Sequence, residues 1–406
     1  MGGERTMGRR RWRTPLVALG VAVLGLVAAG CGDDEGEEAA AEIDGPIVIG
    51  GIFDRSGATG DVGTPYADGS EDYVDWRNEE MGGAGGAEVV LEGNDYQYDV
   101  AIAEQLYSQY IGDGAVAILG WGTGDTEALR GQVAADEVPF FSGSYSEELI
   151  DPSESPYNFS VVATYSDQIR IALGEIAEES PGAGVAVFHH DSPFGTSPVA
   201  DGEAYIDEAG LDISSYESYA MPGGATDYVS ELTQATGDGA DYVIVQNVAS
   251  PAAQLVQNID EQGLDLPVFC LNWCAGEILP ELAGDSAEGV RGVVPWMPPS
   301  ADAPGLDTPR EWLAEQDEDL DERGVHYVQG WWQTHVMVEA IERVVEAGDE
   351  VTGPNIRAAM YEAPFDVEGV APEISFSEDS HRGTSGAPIF EVQDGTWVQV
   401  TDFIEP

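Results

Sequence analysis

Lysine is absent from the 406 residues: all fifteen basic residues are arginine, they face 76 acids, and the formal net charge is −61. A surface of that sign repels phosphate backbones and anionic headgroups, so nucleic acid and membrane lipid are disfavoured as partners. Cysteine is nearly absent too, with only Cys31, Cys270 and Cys274, too few for a disulfide framework. No apolar run reaches the roughly 20 residues of a spanning helix. The catalytic signatures are also lacking. There is no Gly-rich phosphate loop with lysine, no G-x-S-x-G elbow, and no calcium-loop pattern in the acidic run 317–322, which reads as a solvated helix face or turn. Neither a cofactor nor a metal is expected, and an enzyme is the less favoured class.

The amino terminus carries what targeting requires. Arg5, Arg9, Arg10, Arg11 and Arg13 precede fifteen uncharged, mostly apolar residues, Pro15 to Ala29, which predicts an export signal over 1–30. Val27 to Cys31 reads VAAGC and resembles the lipobox of bacterial lipoproteins, with alanine at position 28 where leucine is usual. That resemblance implies a lipid on Cys31 and a protein held at the outer face of the cell membrane; Arg9-Arg10-Arg11 leaves the twin-arginine and general export routes both open. Removing 1–30 takes away five arginines and Glu4, which leaves 75 acids against 10 bases and a formal charge of −65. Solubility in a salty medium, where charges are screened, is the simplest reason for such a surface. Residues 31–45 are acidic, have no apolar period and read as a tether.

Beyond residue 46, short apolar runs rich in β-branched residues alternate with longer helical stretches. The runs are 47–53, 88–93, 116–120 and 138–143, then 184–190, 212–219, 241–247 and 266–272. This alternation predicts an α/β fold with parallel sheets covered by helices. About 360 residues exceed what one core usually holds, and the βα units fall into two groups, before about residue 163 and between about 164 and 292, so two lobes of similar build are expected. A helix over 327–347 and another over 355–362 precede a hairpin, 387–393 and 396–403, turned at Asp394-Gly395. A cleft between such lobes, walled by loops at strand C-termini, is the natural ligand site.

Several blocks then occur in a telling order: GGIFDRSGATGDVG from Gly50, VAILGWGTGDTEAL before VPFFSGSYSEEL, VFHHDSPFG from Val187, LPVFCLNW from Leu266, and the terminal FSEDSHRG and VQDGTWVQV. In that order they resemble the periplasmic leucine/isoleucine/valine-binding family, the type I solute-binding proteins of ABC transporters, over about residues 46–405. The resemblance implies two Rossmann-like lobes, 46–163 plus 293–375 and 164–292 plus 376–406, joined by three crossings, in a monomer that closes around an amino acid or a related solute and presents itself to an ABC permease. It also implies a shelf for the ligand's carboxylate from Thr123, Gly124 and Thr126, then Ser142, Gly143, Ser144 and Tyr145. Backbone N–H groups at a helix start there would favour an anion.

Tyr145 stands where the family has a threonine-like residue and is expected to bring a ring into the pocket. Phe194 matches the tyrosine that covers the ligand, with a plain core phenylalanine as the competing reading. Trp273 falls near the family's glutamate that receives the ligand's ammonium, and an indole cannot accept; Asn272 or Glu277 could replace it. Tyr145, Phe194 and Trp273 together would suit a flat ring or an alkylated cation. Cys270 and Cys274 form a local disulfide or remain two buried thiols. His189-His190-Asp191 is read as structural, because adjacent strand residues face opposite ways and no third ligand is suitably spaced. The alternatives kept open are a sensor lobe of a signalling system and a secreted amidase or metallohydrolase.

Overall fold

The structure is a computed structural model that describes residues 45–406. The expected export segment, Cys31 and the tether up to residue 44 lie outside the described residues. The first sheet is built from β1 (Ile47–Phe53), β2 (Val89–Asp95), β3 (Ala117–Gly120), β4 (Phe140–Ser142) and β5 (Asn158–Phe159), in the order β2-β1-β3-β4-β5. All its pairs are parallel. Helices α1 (Gly60–Glu80), α2 (Val100–Asp113) and α3 (Thr123–Asp136) connect its strands.

After β5 the chain passes through α4 (Tyr165–Glu179) into a second sheet. Its parallel strands alternate with helices: β6 (Ala183–His190), α5 (Pro193–Thr196), α6 (Val199–Ala209), β7 (Ile213–Met221), α7 (Val229–Gly237), β8 (Tyr242–Gln246), α8 (Ala249–Glu261), β9 (Val268–Leu271), α9 (Ile278–Ala283) and β10 (Arg291–Val293). The chain then leaves for α10 (Asp307–Glu315), α11 (Leu320–Ala347) and α12 (Gly353–Ala359). It returns as β11 (Ile389–Gln393) and β12 (Thr396–Gln399), an antiparallel pair added beside β10. The second sheet runs β12-β11-β10-β9-β8-β6-β7. The fold is thus the expected α/β architecture of two lobes with mostly parallel sheets.

Period-two alternation along β6 explains its burial on both faces. Val185 and Val187 join a core with Ile169, Leu173, Ile244 and Phe269, while Ala186 and Phe188 point into the opposite core with Val243, Val245 and Cys270. A strand covered by helices on both sides needs an unbroken apolar run, and GVAVF supplies it. The hairpin turn carries Asp394 at φ 52° and Gly395 at φ 77°, the two consecutive positive φ values that Asp-Gly tolerates.

The return of the chain from the second sheet to the first is fixed by α11 packing along α1. The two helices meet through glycines: a Cβ on Gly69 would lie 2.1 Å from the Tyr327 carbonyl oxygen, and one on Gly330 would lie 1.9 Å from that of Tyr66. The helices approach so closely that neither position has room for a methyl group. Near its start α11 is broken at Gly324 (φ 77°), and the Val325 N–H donates to the Glu277 carboxylate at 2.7 Å. Burial pushes the Glu277 carboxyl up to about 6.

Candidate functional site

The C-terminal ends of strands from both sheets converge on one small, partly open cavity. The first sheet supplies its floor. In the β1–α1 loop, the buried Asp54 carboxylate accepts from the N–H groups of Gly57 (2.6 Å) and Thr59 (2.9 Å) and from the Thr59 hydroxyl (2.7 Å). Thr59 Oγ1 in turn accepts from Trp121 Nε1 at 2.8 Å, which sets the indole that follows β3 into the wall.

Helix α3 begins at the cavity. The N–H groups of Thr123 and Gly124 belong to its first turn, where no preceding turn offers them a carbonyl, and Thr123 is part of the cavity wall. Behind it, Asp125 accepts from the Tyr96 hydroxyl (2.8 Å) and the Gly122 N–H (3.2 Å); burial outweighs these bonds and pushes its carboxyl up to about 7. The Thr123 hydroxyl pairs with that of Ser144 at 2.6 Å, and Thr126 Oγ1 donates to the Gly122 carbonyl at 2.6 Å.

The second sheet supplies the lid. Phe194 sits in the short α5 after β6, with its carbonyl held by Gln246 Nε2 at 3.0 Å, and Val248 follows β8. Trp273 follows β9 and reaches across to the other lobe. Its Nε1–H lies 2.8 Å from the Tyr165 hydroxyl and 3.2 Å from the Gly143 carbonyl oxygen, while its ring centroid lies 4.6 Å from that of Trp121. Both lobes therefore touch through one side chain. Tyr98, which follows β2, and Tyr165, at the start of α4, complete the aromatic wall.

Of the residues expected from the sequence, Thr123, Gly143, Phe194 and Trp273 meet in the wall. The others do not line it. Tyr145 is fully buried and stacks behind Trp273 at 5.8 Å, accepting from Trp296 Nε1 at 3.3 Å instead of bringing its ring into the pocket. A Cβ on Gly124 would lie 3.7 Å from Pro193 Cγ, where the helix start meets the lid. Thr126 and Ser142 bond to each other at 2.8 Å, and Ser144 supports Thr123. Asn272 exchanges side-chain hydrogen bonds with Gln329, and its N–H donates to Gln168 at 2.9 Å, so its polar atoms serve the interlobe joint. Glu277 is committed to the break in α11. Cys270 and Cys274 are two free, buried thiols, without the disulfide considered from their spacing.

The sequence reading missed Thr59, Tyr98, Trp121, Gly122, Tyr165 and Val248. A usable signal existed: aromatic residues lie just past the ends of β2, β3, β6 and β9, where loops face the cleft. His190 Nδ1 lies 2.7 Å from the Ser192 hydroxyl; no group of three His, Cys, Asp or Glu side chains among the described residues is placed to hold a metal ion.

With this geometry in hand, comparison with known proteins is specific. Residues 46–396 match the family model described as periplasmic binding protein. The Leu/Ile/Val-binding protein homolog 7 of Brucella abortus (strain 2308) is 26% identical over 257 residues, a match spanning 61% of the chain and 61% of that relative's length. Among solved structures, a branched chain amino acid ABC transporter protein from Thermus thermophilus with bound valine is similar at a TM-score of 0.84 and 28% identity, covering 89% of this chain and 97% of that one. A substrate binding protein of an ABC transporter from Aeropyrum pernix gives 0.80 and 26%, with the same coverage.

Proposed function

The chain belongs to the periplasmic binding protein family, and from that premise we propose that it is the extracytoplasmic substrate-binding component of an ABC importer. It captures an amino acid or a related small polar solute by closure of its two lobes. The observation that carries this reading is the small cavity walled by strand ends of both sheets, with Trp273 of one lobe bonded to Gly143 of the other. A site shared in this way exists only when the lobes are together, so a ligand bound there stabilises the closed form. Closure, and no bond-making step, is the output, and a membrane permease that recognises the closed form is the partner.

Within this reading, the N–H groups that open α3 receive the solute's carboxylate, while Phe194 and Trp273 cover it. The lobes divide at about 163–164, after β10 and between about 383 and 389; the expected bounds at 292–293 and 375–376 move because Val293 still belongs to β10 and because Phe376 and His381 pack on Phe159 of the first sheet. Cys31 carries a lipid that holds the monomer at the outer face of the cell membrane.

A thermal-shift screen over amino acids, amides, organic cations and small organic acids tests the reading, since a ligand selective for the folded state raises the melting temperature. We expect at least one solute to raise it in a saturable way and to lower the radius of gyration in small-angle scattering. A panel without any such solute would sink the proposal. Membrane recovery of the full chain, lost on Cys31→Ala, tests the anchor separately.

A further inference from the structure

The cavity wall contains no carboxylate, imidazole, amine or guanidinium; its polar groups are hydroxyls, an indole N–H and backbone. Half of its residues are aromatic, and they form two arcs. Tyr165 meets Phe194 edge-on at 5.5 Å, and Phe194 continues through His190 to Tyr98 at 5.8 and 5.9 Å. Facing them, Trp121 and Trp273 lie 4.6 Å apart, backed by Tyr66 at 5.1 and 6.0 Å.

Two acceptors of the wall are already engaged. Thr59 Oγ1 donates to Asp54 and accepts from Trp121, and the Gly143 carbonyl accepts from Trp273. A bare ammonium brought here would bury three N–H donors before a wall that offers them only neutral hydroxyls and carbonyls and no carboxylate, which leaves its desolvation poorly compensated. A fully methylated ammonium has no N–H to satisfy. Its positive charge is held by the faces of aromatic rings, strongly so when water is excluded. The Asp54 carboxylate lies directly behind Thr59, buried, so that an acidic group backs the floor without entering the wall.

We infer that the group held in this cavity is a methylated ammonium, as in trimethylglycine or choline, and not the unmodified ammonium of a branched-chain amino acid. The inference rests on the solute-binding reading above and narrows it. The N–H groups opening α3 then select between the two sources, since trimethylglycine has a carboxylate for them and choline only a hydroxyl.

Isothermal titration of the wild-type protein with trimethylglycine, choline, glycine, valine, leucine and 3,3-dimethylbutanoate decides the matter; the last replaces the quaternary nitrogen by carbon and removes the charge. We expect trimethylglycine or choline to bind about tenfold or more tightly than glycine, valine and leucine, with quenching of tryptophan fluorescence. Trimethylglycine should exceed 3,3-dimethylbutanoate by a similar factor. Tighter binding of glycine, valine or leucine overturns the inference and leaves the solute-binding reading standing. Equal binding of 3,3-dimethylbutanoate overturns it as well, because the rings would then act only as an apolar wall. If neither methylated compound binds, the inference falls, and the broad thermal-shift panel decides independently whether the solute-binding reading falls too.

Discussion

The Asp61 carboxylate, in the first turn of α1, accepts from both the N–H and the hydroxyl of Ser250, at 2.9 and 2.7 Å, across the mouth of the cleft. Ser250 lies in the first turn of α8, where the helix dipole favours an anion. The two residues are 189 positions apart and belong to different lobes, so this contact exists only in the closed form. Asp61→Ala should leave the fold intact and weaken closure by about 1 kcal/mol, or roughly fivefold in the Kd of whichever solute binds. Titration calorimetry checks the affinity, and small-angle scattering should show a larger open fraction. An unchanged Kd would mean that the latch contributes nothing to closure.

Gly330 is a position where one methyl group should be costly. Its Cβ would press on the Tyr66 carbonyl oxygen at 1.9 Å, and both atoms belong to helix backbones that cannot yield separately. Gly330→Ala should lower stability by about 1–3 kcal/mol through overpacking. Gly174→Ala is the matched control, since it sits within α4 with nothing within 4 Å of the added carbon; it should gain roughly 0.5–1 kcal/mol from reduced backbone entropy in the unfolded chain. Chemical denaturation of the two variants beside wild type separates packing from propensity by opposite signs.

The architecture was legible because each sheet strand is an apolar run ending in a polar or glycine-rich turn, and because Asp394-Gly395 announces its hairpin. The beginning of α1 was not. The helix begins at Gly60 and runs through Gly63, Thr64 and Pro65, which are poor helix formers by propensity. Tertiary contact requires Gly63, whose Cβ would lie 2.1 Å from the Asp54 carbonyl oxygen. Similarly, α10 and the start of α11 lie among so many acids that their apolar period was obscured. In the site, Thr123, Gly143, Phe194 and Trp273 could be placed because they follow strands directly. Tyr165 could not, since it starts a helix in the passage between lobes, and Tyr145 and Asn272 turn away from the cavity for reasons of packing that spacing does not encode.

The thiols offer a direct check on the region behind Trp273. Cys270 and Cys274 are fully buried; Cys274 Sγ lies 3.3 Å from the Val245 carbonyl oxygen, and burial pushes the Cys270 thiol well up. Only thiolates react at useful rates. A chain beginning after Cys31 should therefore react negligibly with a thiol-specific reagent when native and take up two equivalents once denatured without reductant. Uptake of none after denaturation would reveal a bridge.

Asp125 should impose a pH dependence with a sign opposite to the histidines. Its carboxyl is raised from 3.8 to about 7, by burial first, so between about pH 4 and pH 7 the folded chain retains a proton that the unfolded chain releases. The stability tied to that proton is fully present below about pH 4 and is lost as pH rises through 7. His326, His335 and His381, each lowered from 6.5 to about 4 by burial, do the reverse: their contribution is present above pH 6.5 and is lost as pH falls toward 4. The wild-type curve alone mixes these effects, but Asp125→Asn mimics the protonated acid and leaves the histidines untouched. The difference in melting temperature between variant and wild type should be smallest near pH 4 and grow in favour of the variant up to pH 8. Should the variant be the less stable protein at both pH values, then the hydrogen bonds from Tyr96 and Gly122 outweigh burial, and Asp125 is ionised beneath the cavity floor throughout.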